Sequence, residues 1–277
     1  MQAVSRRVFL AAAAAAPFQG SAPLGFPLVD FHAHLDDEVT LERAIAISRE
    51  KKVRLGIVEH AGKRQNQDHG RLSSDADLER FVSQIQGKPV YGGIQAEGRD
   101  WMTCFSKAMV ARLDYVLTDA LTFPERNGTS VQLWRPGVEV KDASDFMGRY
   151  VDFHLKILDA EPIDILANPT FLPESLQAQY DTLWTEQRMR RIIDAAVAHG
   201  VAIEINSRYR VPSLRFLRMA KEAGARFSFG SNIHGPGIGM LDYCVETARQ
   251  LGLRAADMFT PAAPGRKPIE RRGVPRG

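Results

Sequence analysis

Seven short apolar runs, each followed by a stretch with helical spacing, limit what this chain can fold into. The runs cover residues 27–31, 54–59, 89–96, 114–118, 163–167, 201–205 and 226–230. Each is rich in β-branched or aromatic residues and bounded by Gly, Pro or polar residues, as strands are. Between them, residues 41–50 place apolar side chains at 41, 44, 45, 47 and 48, and residues 145–158 and 186–199 follow the same helical period. Seven β-α alternations without a long linker predict a single α/β domain built on a parallel sheet. Side-chain parity selects a closed barrel over an open sheet. Stepping back by twos from the strand ends gives Gly56 and Val58 before His60, Gly93 and Gln95 before Glu97, and Ser228 and Gly230 before Asn232. Such small residues suit a narrow lumen. The expected fold is a distorted seven-stranded parallel β/α barrel over residues 25–260, within the length usual for such barrels.

The 277 residues carry 44% hydrophobic and 25% charged residues with two cysteines. That composition excludes a disordered chain, a fibrous repeat, a disulfide scaffold and a multi-span membrane protein. The net charge of +3 is unevenly placed. Arg6 and Arg7 make residues 1–22 positive, and five cations against Glu270 make residues 261–277 positive, which leaves the body slightly acidic. The body lacks the basic stripe of a nucleic-acid binder, so no nucleic-acid partner is expected. The sequence also lacks a glycine-rich phosphate loop.

The two ends read as extensions of the barrel. Ser5-Arg6-Arg7-Val8-Phe9-Leu10 precedes a run from Ala11 to Ala16. A charged start, a short apolar stretch and small residues make a secretory signal, and the arginine pair followed by Phe-Leu resembles the twin-arginine export signal. Residues 1–24 are therefore expected to direct export to the periplasm or beyond, with no stable membrane insertion after their removal. Residues 261–277 are expected to be a disordered basic tail. Cys104 and Cys244 are expected as free thiols. Residues 61–75, with Lys63, Arg64, His69 and Arg71, and residues 121–144, with Trp134, are expected to cover the site as lids.

Polar residues collect where the strands end. The first run leads to Asp30-Phe31-His32-Ala33-His34, the second to Glu59-His60, the third to Gln95-Ala96-Glu97. The fifth leads to Asn168, the sixth to Glu204-Ile205-Asn206, the seventh to Asn232-Ile233-His234. Strand alternation turns His32 and His34 to the same side, a spacing that suits one metal or two neighbouring ones. In a parallel barrel these ends converge on the face that carries active sites. A group of His and Glu gathered there requires a metal or a substrate to offset its desolvation. Glu204 lies deeper on the inward parity, as a direct participant or as the partner of a lumen base.

In this order, Asp30-x-His32-x-His34, Glu59-His60, Gln95-Ala96-Glu97, Asn168-Pro169, Glu204-Ile205-Asn206 and Gly230-Ser231-Asn232-Ile233-His234 resemble the polymerase and histidinol phosphatase (PHP) family, over residues 28–260. The resemblance implies a distorted barrel binding divalent metals, zinc, manganese or iron, and hydrolysing phosphoesters through metal-activated water. It makes His32, His34, His60, Glu97 and His234 metal ligands, with Glu97 bridging and Glu97, His60 and His234 at the catalytic centre. The chain departs from the family where Asn168 replaces a histidine and Asn232 an aspartate. Neutral amides are weak ligands, so one or two ions are expected, with Asp119 as a substitute ligand. Arg208, Arg210 and Arg99, with Asn206 beside them, are expected to bind a small anionic substrate, because guanidinium groups pair bidentately with oxyanions. The expected function is an exported metal-dependent phosphoesterase. The alternatives are a metal-dependent amidohydrolase and a non-catalytic ligand-binding protein with a degenerate metal site.

Overall fold

The computed structural model describes residues 24–63 and 72–272. From its start the chain forms β1 (Val29–Ala33), α1 (Leu41–Lys51), β2 (Arg54–Gly62), α2 (Asp75–Ile85), β3 (Tyr91–Glu97), α3 (Lys107–Val110) and β4 (Tyr115–Thr118). A hairpin of β5 (Thr122–Pro124) and β6 (Ser130–Gln132) follows, then α4 (Ala143–Ala160), β7 (Ile165–Leu166), α5 (Glu174–Gln177), α6 (Tyr180–Leu183) and α7 (Glu186–His199). The chain ends with β8 (Ala202–Asn206), α8 (Leu214–Glu222), β9 (Phe227–Gly230), α9 (Asp242–Leu251) and α10 (Pro268–Arg272).

Seven strands close a parallel barrel in the order β1-β2-β3-β4-β7-β8-β9. The expected fold class is therefore the observed one. The strands alternate between two cores. Phe31, Val58, Tyr115, Leu117, Ile165, Ala167, Ala202 and Phe259 fill the interior, and a larger apolar cluster joins the outer strand faces to the helices. Gly56 and Gly93 are small for a specific reason. A Cβ at Gly93 would stand 2.7 Å from the Tyr115 ring, and one at Gly56 would strike the same side chain. Tyr115 crosses the lumen and donates to the Phe31 carbonyl at 2.8 Å.

The helices start where their sequences allow. Thr40, Ser74, Thr185 and Ser213 each accept a hydrogen bond from a backbone N–H of the helix that follows. Gly200 and Gly252 close α7 and α9 in the left-handed conformation. Among the described residues, no helix is long and apolar enough to cross a membrane.

Two expectations about the ends and loops change. The stretch after Pro261 is ordered as far as Arg272. Phe259 donates its N–H to the Phe227 carbonyl at 2.7 Å and plugs one end of the lumen. Lys267 Nζ reaches the Ala111 and Leu113 carbonyls at 2.6 and 2.5 Å. Arg272 donates to the Leu158, Asp159 and Glu161 carbonyls at the C-terminal end of α4. Charges expected in solvent instead satisfy carbonyls left free at helix ends. The loop at 121–144 also contains the β5-β6 hairpin, which its polar composition concealed. Both cysteines are free thiols, Cys244 buried and Cys104 half-buried. The export signal, Arg64, His69 and Arg71 lie outside the described residues.

Candidate metal centre

The polar residues at the strand ends separate into a satisfied group and an unsatisfied one. The satisfied group lies in the lumen. His32 is fully buried, with Nδ1 2.6 Å from Glu204 Oε1 and Nε2 3.0 Å from Gln95 Oε1. A register shift between Asp30 and Ala33 lets both Phe31 and His32 turn inward. Burial alone would lower the His32 titration, but the Glu204 carboxylate outweighs it and the net shift is upward. Burial raises Glu204, and His32 overcomes that, so its net shift is downward. Both directions describe an imidazolium–carboxylate pair. Glu204 Oε2 accepts further bonds from Asn168 N and Asn206 Nδ2, each at 3.0 Å. Gly230 leaves the room this pair needs, since a Cβ there would collide with Glu204 and approach the His32 Cβ to 2.8 Å. Of the two readings of Glu204, the structure places it as partner of a lumen base. His32, expected as a metal ligand, has both ring nitrogens engaged by protein.

The unsatisfied group sits at the mouth. His34 at the end of β1, His60 in β2 and His234 after β9 bring their rings nearly parallel. Ring centroids are 4.7 Å apart for His34–His60, 4.4 Å for His34–His234 and 6.2 Å for His60–His234. One ring nitrogen from each lies within 4.8 Å of the others, so the three can hold a metal ion. Burial, reinforced by His60, drives the His34 titration well below its ordinary value. His234 is lowered to about 4, first by the cover over one part of its ring and then by His60 and Arg208. Neutral imidazoles are the form that binds metals.

The donor set fits a divalent cation on two further observations. His34 Nε2 and Glu97 Oε2 are buried and have no hydrogen-bond partner. Glu97 Oε1 pairs with His60 Nδ1. A carboxylate behind an imidazole orients the ring and raises its basicity as a ligand.

The same mouth carries Asp119, on the inward parity of Tyr115 and Leu117. Gln95 Nε2 and Asn168 Nδ2 each donate to Asp119 Oδ2 at 3.2 Å, and Leu121 N donates to Oδ1 at 3.0 Å. Burial raises its titration to about 6 against the opposing Leu121 hydrogen bond. Arg208 faces the cavity and donates to the Asn232 carbonyl at 3.1 Å. Trp134 and Leu121, from the loop bearing the hairpin, and Tyr209 close the sides of a space of about 230 Å³.

The other expected site residues lie elsewhere or act on the backbone. Asn168 and Asn232 line the cavity, and both adopt left-handed backbone conformations, φ 48° and 51°. Asparagine tolerates that region far better than most residues, so the chain turn favours asparagine at both positions. Asn206 is buried beneath the mouth and accepts from Tyr209 N at 3.0 Å. Arg210 turns outward, 3.7 Å from Glu246 and stacked on Tyr243. Arg99 approaches Glu161 at 3.7 Å, and Lys63 pairs with Asp100 at 2.8 Å. Trp134 comes from the loop expected to cover the site, whereas Gln95 and Tyr209 line the mouth without being among the expected site residues. Gln95 follows the inward parity of β3, which was the available signal.

Neither a family model nor a curated protein matches the chain. Among the solved structures that resemble it are three at 12% identity each. One is an HpcH/HpaI aldolase from Desulfitobacterium hafniense DCB-2, covering 86% of this chain and 96% of that one, TM-score 0.38. Another is a citrate lyase from Burkholderia xenovorans LB400, covering 82% and 78%, TM-score 0.40. The third is a phospho-2-dehydro-3-deoxyheptonate aldolase from Thermotoga maritima, covering 83% and 72%, TM-score 0.32. These are distant barrel likenesses, and they assign no activity. The expected family is corrected on these findings. No model of the polymerase and histidinol phosphatase family matches, and the similar structures bear aldolase and lyase names. The phosphoesterase and amidohydrolase readings, and that of a degenerate member of the family, are withdrawn with it. A run of polar residues at successive strand ends is what any barrel with a site on its open face presents.

Proposed function

We propose that this protein is a metal-dependent enzyme of the lyase or aldolase type, moving a proton at the carbon α to a polarised carbonyl of a small carboxylate. The observation that carries the reading is the pairing, in one cavity, of a three-histidine cluster with Asp119 (titrating at about 6). His34, His60 and His234 would hold one ion, and an all-imidazole donor set suits zinc or iron better than manganese. Bound there, the ion supplies Lewis-acid polarisation of a substrate oxygen. Arg208 pairs with the substrate's anionic group. Gln95, Asn168 and Leu121 N fix the Asp119 carboxyl. With its titration near neutrality, Asp119 both takes a proton and returns it. Trp134 and Leu121 keep water from one side. Export remains part of the proposal on the Arg6-Arg7 signal, and is checked by the periplasmic share of the full-length protein against an Arg6→Lys, Arg7→Lys variant.

The test is proton exchange. Protein loaded with zinc or iron is incubated with pyruvate in deuterated water, and loss of the methyl proton signal is followed by NMR. Exchange should require metal. It should fall at least 100-fold in His34→Ala with loss of metal, and comparably in Asp119→Asn with metal retained. No metal-dependent exchange with pyruvate or longer 2-oxo acids would sink the reading.

A further inference from the structure

A second chamber of about 360 Å³ opens beside the histidine mouth, and Tyr209 lines both. Its walls come from the loops after β7 and β8 and from α6, elements that also border the barrel's open face. The chamber is built of rings and aliphatic carbon, chiefly Phe171, Leu172, Tyr180, Tyr209 and Val211. Phe171 and Tyr209 meet edge to face at 4.7 Å. Gln177, Asp181 and Arg210 also line it, all three exposed, and the polar atoms of its more buried walls are taken. The Tyr180 hydroxyl pairs with Thr170 Oγ1 at 2.5 Å and accepts from Ser213 N at 3.3 Å. Tyr209 N is bound by Asn206 Oδ1. What these residues offer a ligand is apolar surface and ring faces. The histidine cavity alone lies below the size usual for small-molecule sites, about 300–1,000 Å³. The side chamber more than doubles the space.

We infer that this chamber is a specificity subsite, and that the substrate carries an aromatic ring or comparable apolar group joined to its anionic head by a short chain. The head lies against Arg208 and the histidines, and the chain crosses the edge of Tyr209. The ring stacks among Phe171, Tyr180 and Tyr209, where burial of apolar surface adds affinity. This rests on the proposed reading of the histidine mouth as an anion site. The subsite favours an aryl-alkyl carboxylate over a short aliphatic one.

Acetate, propionate and 3-phenylpropionate are titrated into full-length, metal-loaded protein by calorimetry. Affinity should rise at least tenfold from propionate to 3-phenylpropionate. Gln177→Trp, an exposed position on the chamber rim, should remove that gain while acetate binding and the melting temperature hold. Independently of any variant, NOEs should run from the probe's phenyl protons to the Phe171 and Tyr180 rings. Equal affinities across the series, or NOEs that avoid both rings, overturn the subsite and leave the metal reading standing. Failure of all three carboxylates to bind loaded protein overturns the anion site and the subsite together.

Discussion

His32 and His34 stand two residues apart at the end of β1, and their surroundings divide them. His32 has both nitrogens bonded, to Glu204 and Gln95, and carries its charge inside the lumen. His34 is equally buried, leaves Nε2 unpartnered, and is held neutral among His60 and His234. Burial acts on both rings in the same direction. The difference is the neighbour: a carboxylate beside His32, and three imidazoles (His60, His32 and His234) with Arg208 around His34. A buried polar group that the fold satisfies stabilises the barrel, and one it leaves unsatisfied is available to a ligand.

The sharpest way to break this comparison is to remove one partner from each group. Glu204→Ala strands the His32 imidazolium in the lumen and should cost about 3–5 kcal/mol in urea unfolding, as loss of one member of a buried pair does. His34→Ala removes an unpartnered group, so its cost without metal should be smaller, on the order of 1 kcal/mol. Metal affinity should respond in the opposite order, lost in the second variant and largely kept in a Glu204→Gln protein that still folds. Equal stability costs for the two alanine variants would remove the distinction.

Carboxylates repeat the contrast and add a pH dependence. Glu204, beside His32, is shifted down, whereas Asp164 at the foot of β7 and Glu161 after α4 are raised by burial to about 7 each. Their cations, Lys267 and Arg226 for Asp164 and Arg99 for Glu161, do not overcome it. The signs follow by linkage. The lumen pair contributes fully between the ordinary Glu value of 4.5 and the ordinary His value of 6.5. It weakens as pH falls through the lowered Glu204 value or rises through the raised His32 value. Asp164 and Glu161 contribute fully only below about pH 4, and their contribution is lost as pH rises through about 7. Stability should therefore decline by roughly 4–6 kcal/mol from pH 4.5 to 8 on their joint account. Asp164→Asn should flatten that slope in denaturation series across the range. An unchanged slope in both Asp164→Asn and Glu161→Gln would place the dependence elsewhere.

What the sequence made legible was local and periodic. Seven strands, their inward parity and the role of Gly56 and Gly93 follow from a period of two, which needs no knowledge of distant residues. So does the convergence of His34, His60 and His234, because parallel strands bring their ends to one face. The fate of His32 was hidden, since it depends on Glu204, 172 residues along the chain. The ordered strap to Arg272 was hidden for the same reason. Lys267 and Arg272 read as solvated charges until the carbonyls around Leu113 and Leu158 exist to receive them. The family resemblance rested on the order of polar strand ends, which barrel geometry imposes widely.

The smallest expected effect is at the two asparagines, where backbone and ligand roles diverge. Asn232 sits at φ 51°, and its side chain donates to Asn168 Oδ1 at 3.5 Å, the far limit for a hydrogen bond. If its work is to let the chain turn after β9, glycine serves nearly as well, and a residue with an ordinary side chain does not. Asn232→Gly should change unfolding free energy by less than about 0.5 kcal/mol, and Asn232→Ala should lose about 1 kcal/mol. Metal affinity should be the same in both variants, because the three imidazoles are untouched. A tenfold or larger fall in metal affinity in the glycine variant, with stability held, would make the Asn232 amide a fourth donor. It would then belong with His34 among the groups the fold leaves free, not with His32.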